Sequence, residues 1–317
     1  MISFAVGMIS CPILIPLLHK MKFGQNVRDD GPATHLKKQG TPTMGGVAFL
    51  VAFLVAAVCF LNGNGDGVAV VLVTIGYGII GFLDDYIKVV KKRSLGLRAV
   101  QKLLMQLVVT GGFYWYLLQS GIGTEILIPF MKGATLDLGI LFPIFVLVAV
   151  LGTVNGVNLT DGLDGLAGGV TLIITAFFAI MAWVAGSSIA PICGAIIGGL
   201  LAFLIFNSYP AKVFMGDTGS LALGGFVVST AFLLNLSLFI PLVGFIYLWE
   251  SVTVLLQVGY FKYTRRTTGE GKRLFKMAPF HHHLEKCGWR ETQVVTLFYV
   301  ATAMLCLIGF LAASEMF

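Results

Sequence analysis

Charged residues are scarce in this sequence and are missing from long stretches of it. Only 11% of the 317 residues are Asp, Glu, Lys or Arg, whereas 57% are hydrophobic. Soluble domains carry about 25% charged residues, because a water-exposed surface requires them. This scarcity excludes an ordinary soluble domain and predicts an integral membrane protein.

Paired cysteine spacing is also missing. The five cysteines are far apart, and four of them lie in apolar stretches. Isolated cysteines of this kind usually behave as small buried hydrophobic residues. The sequence therefore predicts no disulfide.

What the sequence does have is a series of apolar runs that contain no charged residue. They are Met1–His19, Gln39–Gly65, Gly67–Leu83, Leu103–Thr124, Leu138–Thr160, Gly165–Ala211, Thr218–Trp249 and Thr292–Ser314. A helix of about 20 apolar residues crosses the hydrocarbon of a bilayer. We predict ten spans, centred near residues 10, 53, 76, 111, 147, 177, 198, 226, 250 and 303, with turns at 185–188 and 235–237. The alternation typical of a β-barrel is absent, so the predicted fold is an all-α membrane protein with residues 1–317 as one domain.

The basic residues predict the orientation of these helices. The loops after spans 1, 3, 7 and 9 contain 20 of the 21 Lys and Arg residues, and only Lys132 lies elsewhere. Basic loops remain in the cytoplasm, so both termini are predicted to be extracytoplasmic. The net charge of +6 therefore reflects topology and gives no indication of nucleic-acid binding.

Five aspartates lie at the predicted cytoplasmic membrane interface, where an unpartnered carboxylate is costly. They are Asp84, Asp85, Asp161, Asp164 and Asp217. The adjacent pair, Asp84 and Asp85, repel each other and favour a divalent cation or a shared proton. Lys88 follows one helical turn after Asp84, and this combination suits a phosphate bound through Mg²⁺. The alternative is a helix-end acidic pair that Lys88 and Lys91 neutralise.

Two further polar segments carry the other aspartates. Residues 155–169 combine two Asn and two Asp with repeated Gly, which suits a nucleobase, a sugar or a metal; the alternative is an ordinary turn between helices. In residues 206–220, Asp217 opens a helix whose N-terminus favours anions, although a simple N-cap is the alternative. Phe214 can stack on a base or anchor the loop at the interface.

The last cytoplasmic loop contains His281, His282 and His283, followed by Glu285. Histidines can bind zinc, donate to phosphate or transfer protons. Adjacent residues rarely converge on one tetrahedral zinc site, and histidines without a role are the remaining alternative. Glu250, inside span 9, either faces a groove or is paired within the bundle.

Together with residues 28–32 and 40–46, these segments resemble the polyprenyl-phosphate N-acetylhexosamine-1-phosphate transferase superfamily. The histidine segment makes the chain most similar to its phospho-N-acetylmuramoyl-pentapeptide transferases. The resemblance implies transfer of phospho-MurNAc-pentapeptide from UDP-MurNAc-pentapeptide to undecaprenyl phosphate, which yields lipid I and UMP and requires Mg²⁺. It also implies a homodimer in the bacterial cytoplasmic membrane, with its active site on the cytoplasmic face.

The resemblance further implies a role for each site residue. Asp217 would bind Mg²⁺ and the diphosphate, Asp84 and Asp85 would position or deprotonate the lipid phosphate, and His281 would assist at the phosphates. The uridine side would be held by Asn158, Asp161, Asp164, Asn207 and Phe214. Further contacts would come from Lys38, Thr43, Lys88, Gln257 and His282.

Two alternatives remain. A relative that uses UDP-GlcNAc would share the aspartates and differ in the last cytoplasmic loop. A secondary transporter would bind a coupling ion near the membrane midplane and contain inverted repeats. The predicted clustering of carboxylates on one face favours the enzyme.

Overall fold

The computed structural model describes residues 1–21, 38, 40–91 and 96–313, and its regular structure is almost entirely helical. The polar segment 28–32 lies outside these residues. In chain order the elements are α1 (Ile2–Lys20), α2 (Gly46–Ala57), α3 (Gly65–Val90), α4 (Ala99–Gln119), β1 (Glu125–Leu127), β2 (Thr135–Asp137), α5 (Phe142–Thr160), α6 (Leu166–Val184), α7 (Ala190–Asn207), α8 (Gly216–Leu233), α9 (Ile240–Val243), α10 (Phe245–Thr268), α11 (Phe280–Lys286) and α12 (Glu291–Ala313).

Every predicted span centre lies in a helix, and both predicted turns separate helices. Six described helices are long and apolar enough to cross a membrane, or seven if α9 and α10, which meet at a bend of 75°, form one span. The class of multi-pass helical membrane protein is therefore confirmed, while the number ten stays a prediction. Helix α2 has only 12 residues, and α8 begins with a polar turn that belongs to the candidate site.

Helix α8 forms the centre of the bundle. Its residues from Thr218 to Phe232 are all buried, and it packs against α2, α3, α5 and α6. Because lipid is as apolar as a helix surface, close packing through small residues holds membrane helices together. A Cβ atom at Gly224 would lie only 2.5 Å from the Cα of Val154 on α5. This close approach brings the end of α5 near the start of α8.

The two ends of the bundle differ. At one end, α3 begins at Asn64, whose side chain accepts from the Gly67 N–H and donates to the Ser188 carbonyl. Strands β1 and β2 pair antiparallel at that same end, with Ile126 opposite Leu136. At the other end, α3, α5 and α7 terminate and α4, α6, α8 and α12 begin, which brings the predicted polar segments together.

Candidate active site

Three carboxylates meet where α3 approaches the start of α8. Oxygens of Asp84, Asp85 and Asp217 all lie within 4.8 Å of one another. Asp84 and Asp85 are buried, while the Asp217 side chain is 18% exposed. We call these three residues the carboxylate cluster. It is the only group of three or more acidic, His or Cys side chains, within the part of the chain that the structure describes, close enough to share a metal ion.

Two glycines allow this approach. A Cβ atom at Gly81 of α3 would overlap the main-chain carbonyl of Asp217. Gly216 has a φ of +73°, and a Cβ there would lie 2.6 Å from Asp85 and 2.9 Å from the hydroxyl of Thr43. A side chain at either position would therefore separate α3 from α8.

Asp85 occupies the N-terminus of α8. Its carboxylate accepts from the Asp217 N–H (3.2 Å), the Thr218 N–H (2.9 Å) and the Thr218 hydroxyl (2.8 Å). These bonds satisfy helix N–H groups that have no partner within the helix. The anion predicted at this helix N-terminus is thus a side chain of the protein itself. The alternative of Asp217 as a simple N-cap is wrong, because Met215 holds the cap position and Asp217 lies in the first turn.

Two lysines contact the carboxylate cluster. The Lys88 ammonium lies 2.6 Å from Asp84, 3.7 Å from Asp85 and 3.1 Å from Asp217. Lys102, in the first turn of α4, lies 2.9 Å from the same Oδ2 of Asp217. The predicted pairing of Lys88 with Asp84 one turn away is confirmed. Three carboxylates and two ammonium groups at one partly exposed point can bind a divalent cation together with phosphate.

The end of α5 contributes a neutral donor to Asp217. The Asn158 amide donates to Asp217 Oδ1 (2.9 Å) and to the Ser220 hydroxyl (2.9 Å). With Lys88 and Lys102 on Oδ2, both oxygens of Asp217 have protein partners. Asn158 thus lies beside the predicted metal ligand.

Asp161 follows the end of α5 and lies in the field of other carboxylates. Burial first, and then the negative charges of Asp217, Asp85 and Asp164, raise the pKa of Asp161 to about 8. An aspartate with such a pKa is largely neutral at pH 7 and can donate a hydrogen bond. That property suits a carbonyl acceptor on a substrate.

A second charged group, which we call the anchor cluster, consists of Lys38, Asp164 and Glu291. The Lys38 ammonium lies 2.6 Å from Asp164 and 2.5 Å from Glu291 at the start of α12. Glu291 also accepts from the Asp164 N–H (2.7 Å), and Asp164 accepts from the Ala211 N–H (2.9 Å). Lys38 and Asp164 therefore connect the position before α2 to the α5–α6 connection, the α7–α8 connection and the start of α12.

Asn207 extends this anchoring. Its amide donates to the Val213 carbonyl (2.9 Å), and its carbonyl accepts from the Gly165 N–H (3.2 Å). Asn207 is 3% exposed, and both its NH₂ group and its carbonyl oxygen are hydrogen-bonded within the protein. The prediction that Asp164 and Asn207 contact uridine stays a prediction, and the structure gives both side chains a positioning role.

Thr43 and Phe214 lie on paired segments beside α8. Phe214 donates its N–H to Pro42 (2.8 Å) and accepts from the Gly45 N–H (2.8 Å). Thr43 lies beside Gly216, and the Phe214 side chain is half-buried. This pairing holds Thr43 next to Gly216, one residue before Asp217, and fixes the backbone of Phe214 in the segment that leads into α8.

The segment between α10 and α12 packs on α10. The Gln257 side chain accepts from the Leu274 and Phe275 N–H groups (3.1 and 2.9 Å), which fixes the segment before α11. His282 Nδ1 lies 2.9 Å from Glu285. His281 lies 3.1 Å from Glu250, which answers the open question about Glu250: it is paired inside the bundle.

Sequence reasoning missed the part played by two residues. For Lys102 the sequence predicts only a basic loop residue, although its position at the start of an apolar run is a signal of an interfacial contact. For Glu291 the sequence predicts only an acid on the cytoplasmic side, and its partner Lys38 lies too far away in the sequence for any spacing to indicate the pair.

Two family descriptions match the chain. "Glycosyl transferase family 4" matches residues 67–235, a range that contains the whole carboxylate cluster. "Phospho-N-acetylmuramoyl-pentapeptide-transferase signature 1" matches residues 38–50, which contain Lys38 and Thr43.

Several proteins named phospho-N-acetylmuramoyl-pentapeptide-transferase are similar over nearly their full length. The protein of Clostridium kluyveri (strain ATCC 8527) is 49% identical over 315 residues, which cover 98% of this chain and 97% of that protein. The protein of Clostridium perfringens (strain 13) is 48% identical over 311 residues, covering 98% and 96%. The protein of Clostridioides difficile (strain 630) is 49% identical over 316 residues, covering 98% and 96%.

The helical fold and its acidic site define a multi-pass membrane transferase of glycosyl transferase family 4. Within that class, the chain belongs to the phospho-N-acetylmuramoyl-pentapeptide-transferase family, and it is a protein of the bacterial cytoplasmic membrane.

Proposed function

We propose that the chain transfers phospho-MurNAc-pentapeptide from UDP-MurNAc-pentapeptide to undecaprenyl phosphate. The products are lipid I and UMP, and the reaction is the first membrane step of peptidoglycan synthesis. The observation that carries the proposal is the carboxylate cluster with its two lysines, at one end of a bundle whose relatives bear this enzyme name.

The carboxylate cluster fits Mg²⁺ by the chemistry of its donors. Mg²⁺ takes a few carboxylate oxygens and leaves its other positions to water and phosphate. Asp217 is the residue best placed to hold it, because it is the most exposed of the three and its Oδ2 already attracts two cations. When bound, Mg²⁺ supplies positive charge to the diphosphate during transfer.

The remaining residues would orient the substrates and balance their charge. Phosphoryl transfer depends on in-line positioning and charge neutralisation more than on covalent chemistry of the protein. Lys88 and Lys102 provide two positive charges beside Asp217, where phosphates would bind. Asp84 also accepts from the Leu97 N–H (2.7 Å), so its two oxygens, like those of Asp85, already have donors. This favours a positioning role over a basic one for both aspartates.

The uridine would bind beside the segment that contains Asn158 and Asp161, with Phe214 stacked on the base. Asp161 would contact the nucleotide from the end of α5. Asp164 and Asn207 would contact the uridine or support this surface through their bonds within the protein, and Thr43, Gln257 and His282 would make further contacts with the substrates. We further propose that ten helices span the membrane with the site on the cytoplasmic face, and that the protein is a homodimer.

The test is UMP release by purified protein with undecaprenyl phosphate and Mg²⁺. We expect release with UDP-MurNAc-pentapeptide, none with UDP-GlcNAc, and loss of release on addition of EDTA. Release with UDP-GlcNAc alone would keep the mechanism and contradict the substrate. Release with neither donor, in protein that is folded, would contradict the transferase reaction and favour the transporter alternative.

A further inference from the structure

A buried carboxylate holds the ring of His281 from two sides. Glu250 on α10 is 0% exposed and His281 on α11 is 1% exposed. Glu250 Oε2 lies 3.1 Å from Nδ1 of His281, and Oε1 accepts from the backbone N–H of His281 at 3.2 Å. One side chain thus bonds both the main chain and the ring of His281, which fixes the position and the rotation of the imidazole.

This arrangement also favours one position for the ring proton. An ionised carboxylate only accepts hydrogen bonds, so Nδ1 must be the donor. In the neutral imidazole the other nitrogen, Nε2, is then an unprotonated acceptor. A carboxylate that orients a histidine in this way determines which ring nitrogen meets the substrate.

The Nε2 atom of His281 is buried and, among the residues that the structure describes, has no hydrogen-bond partner. Buried polar atoms are normally paired, so an unpaired one needs a reason. Nε2 lies against Gly162, where a Cβ atom would overlap the ring. Gly162 lies four residues after Asn158, whose amide donates to Asp217 Oδ1 at 2.9 Å. The unpaired nitrogen therefore borders the candidate active site.

We propose that Glu250 is a positioning residue, which fixes His281 so that an unprotonated Nε2 accepts a hydrogen bond from an O–H group of the bound substrates. Gly162 leaves the space that this nitrogen occupies. The proposal rests on the proposed transferase function for the identity of the substrates, but the state of the ring in the free protein does not depend on it.

The variant Glu250→Gln tests the tautomer with almost no change in shape. The Gln carbonyl can still accept from the His281 backbone, but its NH₂ group then faces Nδ1 and donates to it. The ring must carry its proton on Nε2 instead, which places a donor where the substrate needs an acceptor. We expect kcat/KM to fall by about 10- to 100-fold, the range for an unmatched buried polar group. The same substitution at Glu125, on the exposed strand β1, should leave it unchanged.

Nitrogen-15 NMR of histidine-labelled protein shows directly which ring nitrogen of His281 carries the proton. The His281 signals are those that the His281→Gln variant lacks. We expect the proton on Nδ1 in the wild type and on Nε2 in Glu250→Gln, without any substrate present. A wild-type ring with its proton on Nε2 would overturn the proposal.

A double-mutant cycle separates positioning from a general role in stability. If Glu250 acts through His281, Glu250→Gln should lower kcat/KM less than about twofold in a His281→Gln background, because coupled residues are not additive. An equal loss in both backgrounds would overturn the proposal. Should the wild type release no UMP, the NMR result would still decide the orientation of the ring, so the two failures are distinguishable.

Gly162→Ala adds an independent test, because its methyl group would displace the ring. In Gly162→Ala, we expect loss of the NMR signal of the His281 Nδ1–H that is hydrogen-bonded to Glu250. We also expect kcat/KM to fall at least as far as in Glu250→Gln. Gly152→Ala on α5 is the matched control, since a Cβ there meets no atom within 4 Å. Unchanged ring signals in Gly162→Ala would contradict the placement of Nε2.

Discussion

The carboxylate cluster and the anchor cluster have similar compositions and different surroundings. The anchor cluster places one lysine between two carboxylates and adds backbone donors, and its Asp164 and Glu291 side chains are 2% and 7% exposed. The carboxylate cluster gathers three acids around two lysines, and its Asp217 and Lys88 side chains are 18% and 32% exposed. A set of charges whose carboxylates are closed off from solvent stabilises the fold, whereas a set with a solvent-accessible carboxylate and lysine can bind a ligand.

The largest expected difference concerns turnover. Asp217→Asn should lower UMP release at least about 1000-fold, because a bound metal supplies several kcal/mol of charge stabilisation in the transition state. The variant should unfold like the wild type. Asp137→Asn, on the exposed strand β2, is the matched control and should retain full activity. Near-normal turnover in Asp217→Asn would contradict the assignment of Asp217 as a metal ligand.

A substitution in the anchor cluster should mainly lower the free energy of unfolding. Lys38→Met leaves two buried carboxylates without their cation, and removal of one partner from a buried pair costs about 3–5 kcal/mol. Denaturant unfolding in detergent should show this loss, while Lys132→Met near the β1–β2 hairpin should not. If Lys38→Met instead unfolds like the wild type and loses turnover, Lys38 is a substrate contact. The anchor cluster would then bind a ligand, as the carboxylate cluster is proposed to do.

The smallest expected effect concerns the nucleotide alone. Phe214→Ala should weaken binding of UDP-MurNAc-pentapeptide about 10-fold, since stacking of a base on an aromatic ring is worth about 1–3 kcal/mol. Affinity for undecaprenyl phosphate should not change. Phe130→Ala, at an exposed position of the hairpin loop, is the control. Equal losses for both substrates would count against stacking.

Much of the fold could be predicted because apolar runs and basic loops reflect the bilayer directly. The sequence could not predict the 75° bend between α9 and α10, because an apolar run looks the same in a straight and in a broken helix. It also could not predict the β1–β2 hairpin or the short helix α11, which tertiary packing stabilises. Hydropathy indicates whether a segment lies in lipid or in water, but it does not show where a helix bends or how a loop folds.

In the candidate site, too, the sequence could predict some features and not others. The aspartates could be found because charge at a membrane interface is costly and therefore informative. The pairing of Glu250 with His281 could not, since the bend before α10 and the docking of α11 bring them together. Asp164 and Asn207 are predicted uridine contacts, and the sequence could not show that their side chains also bond within the protein.

The most direct test of this account is divalent-cation binding at the carboxylate cluster. Mn²⁺ can replace Mg²⁺ and its binding can be followed by electron paramagnetic resonance. The account predicts one bound Mn²⁺ per chain that Mg²⁺ displaces, lost in Asp217→Asn and retained in Asp137→Asn. Undiminished binding in Asp217→Asn would contradict the claim that the carboxylate cluster is the metal site.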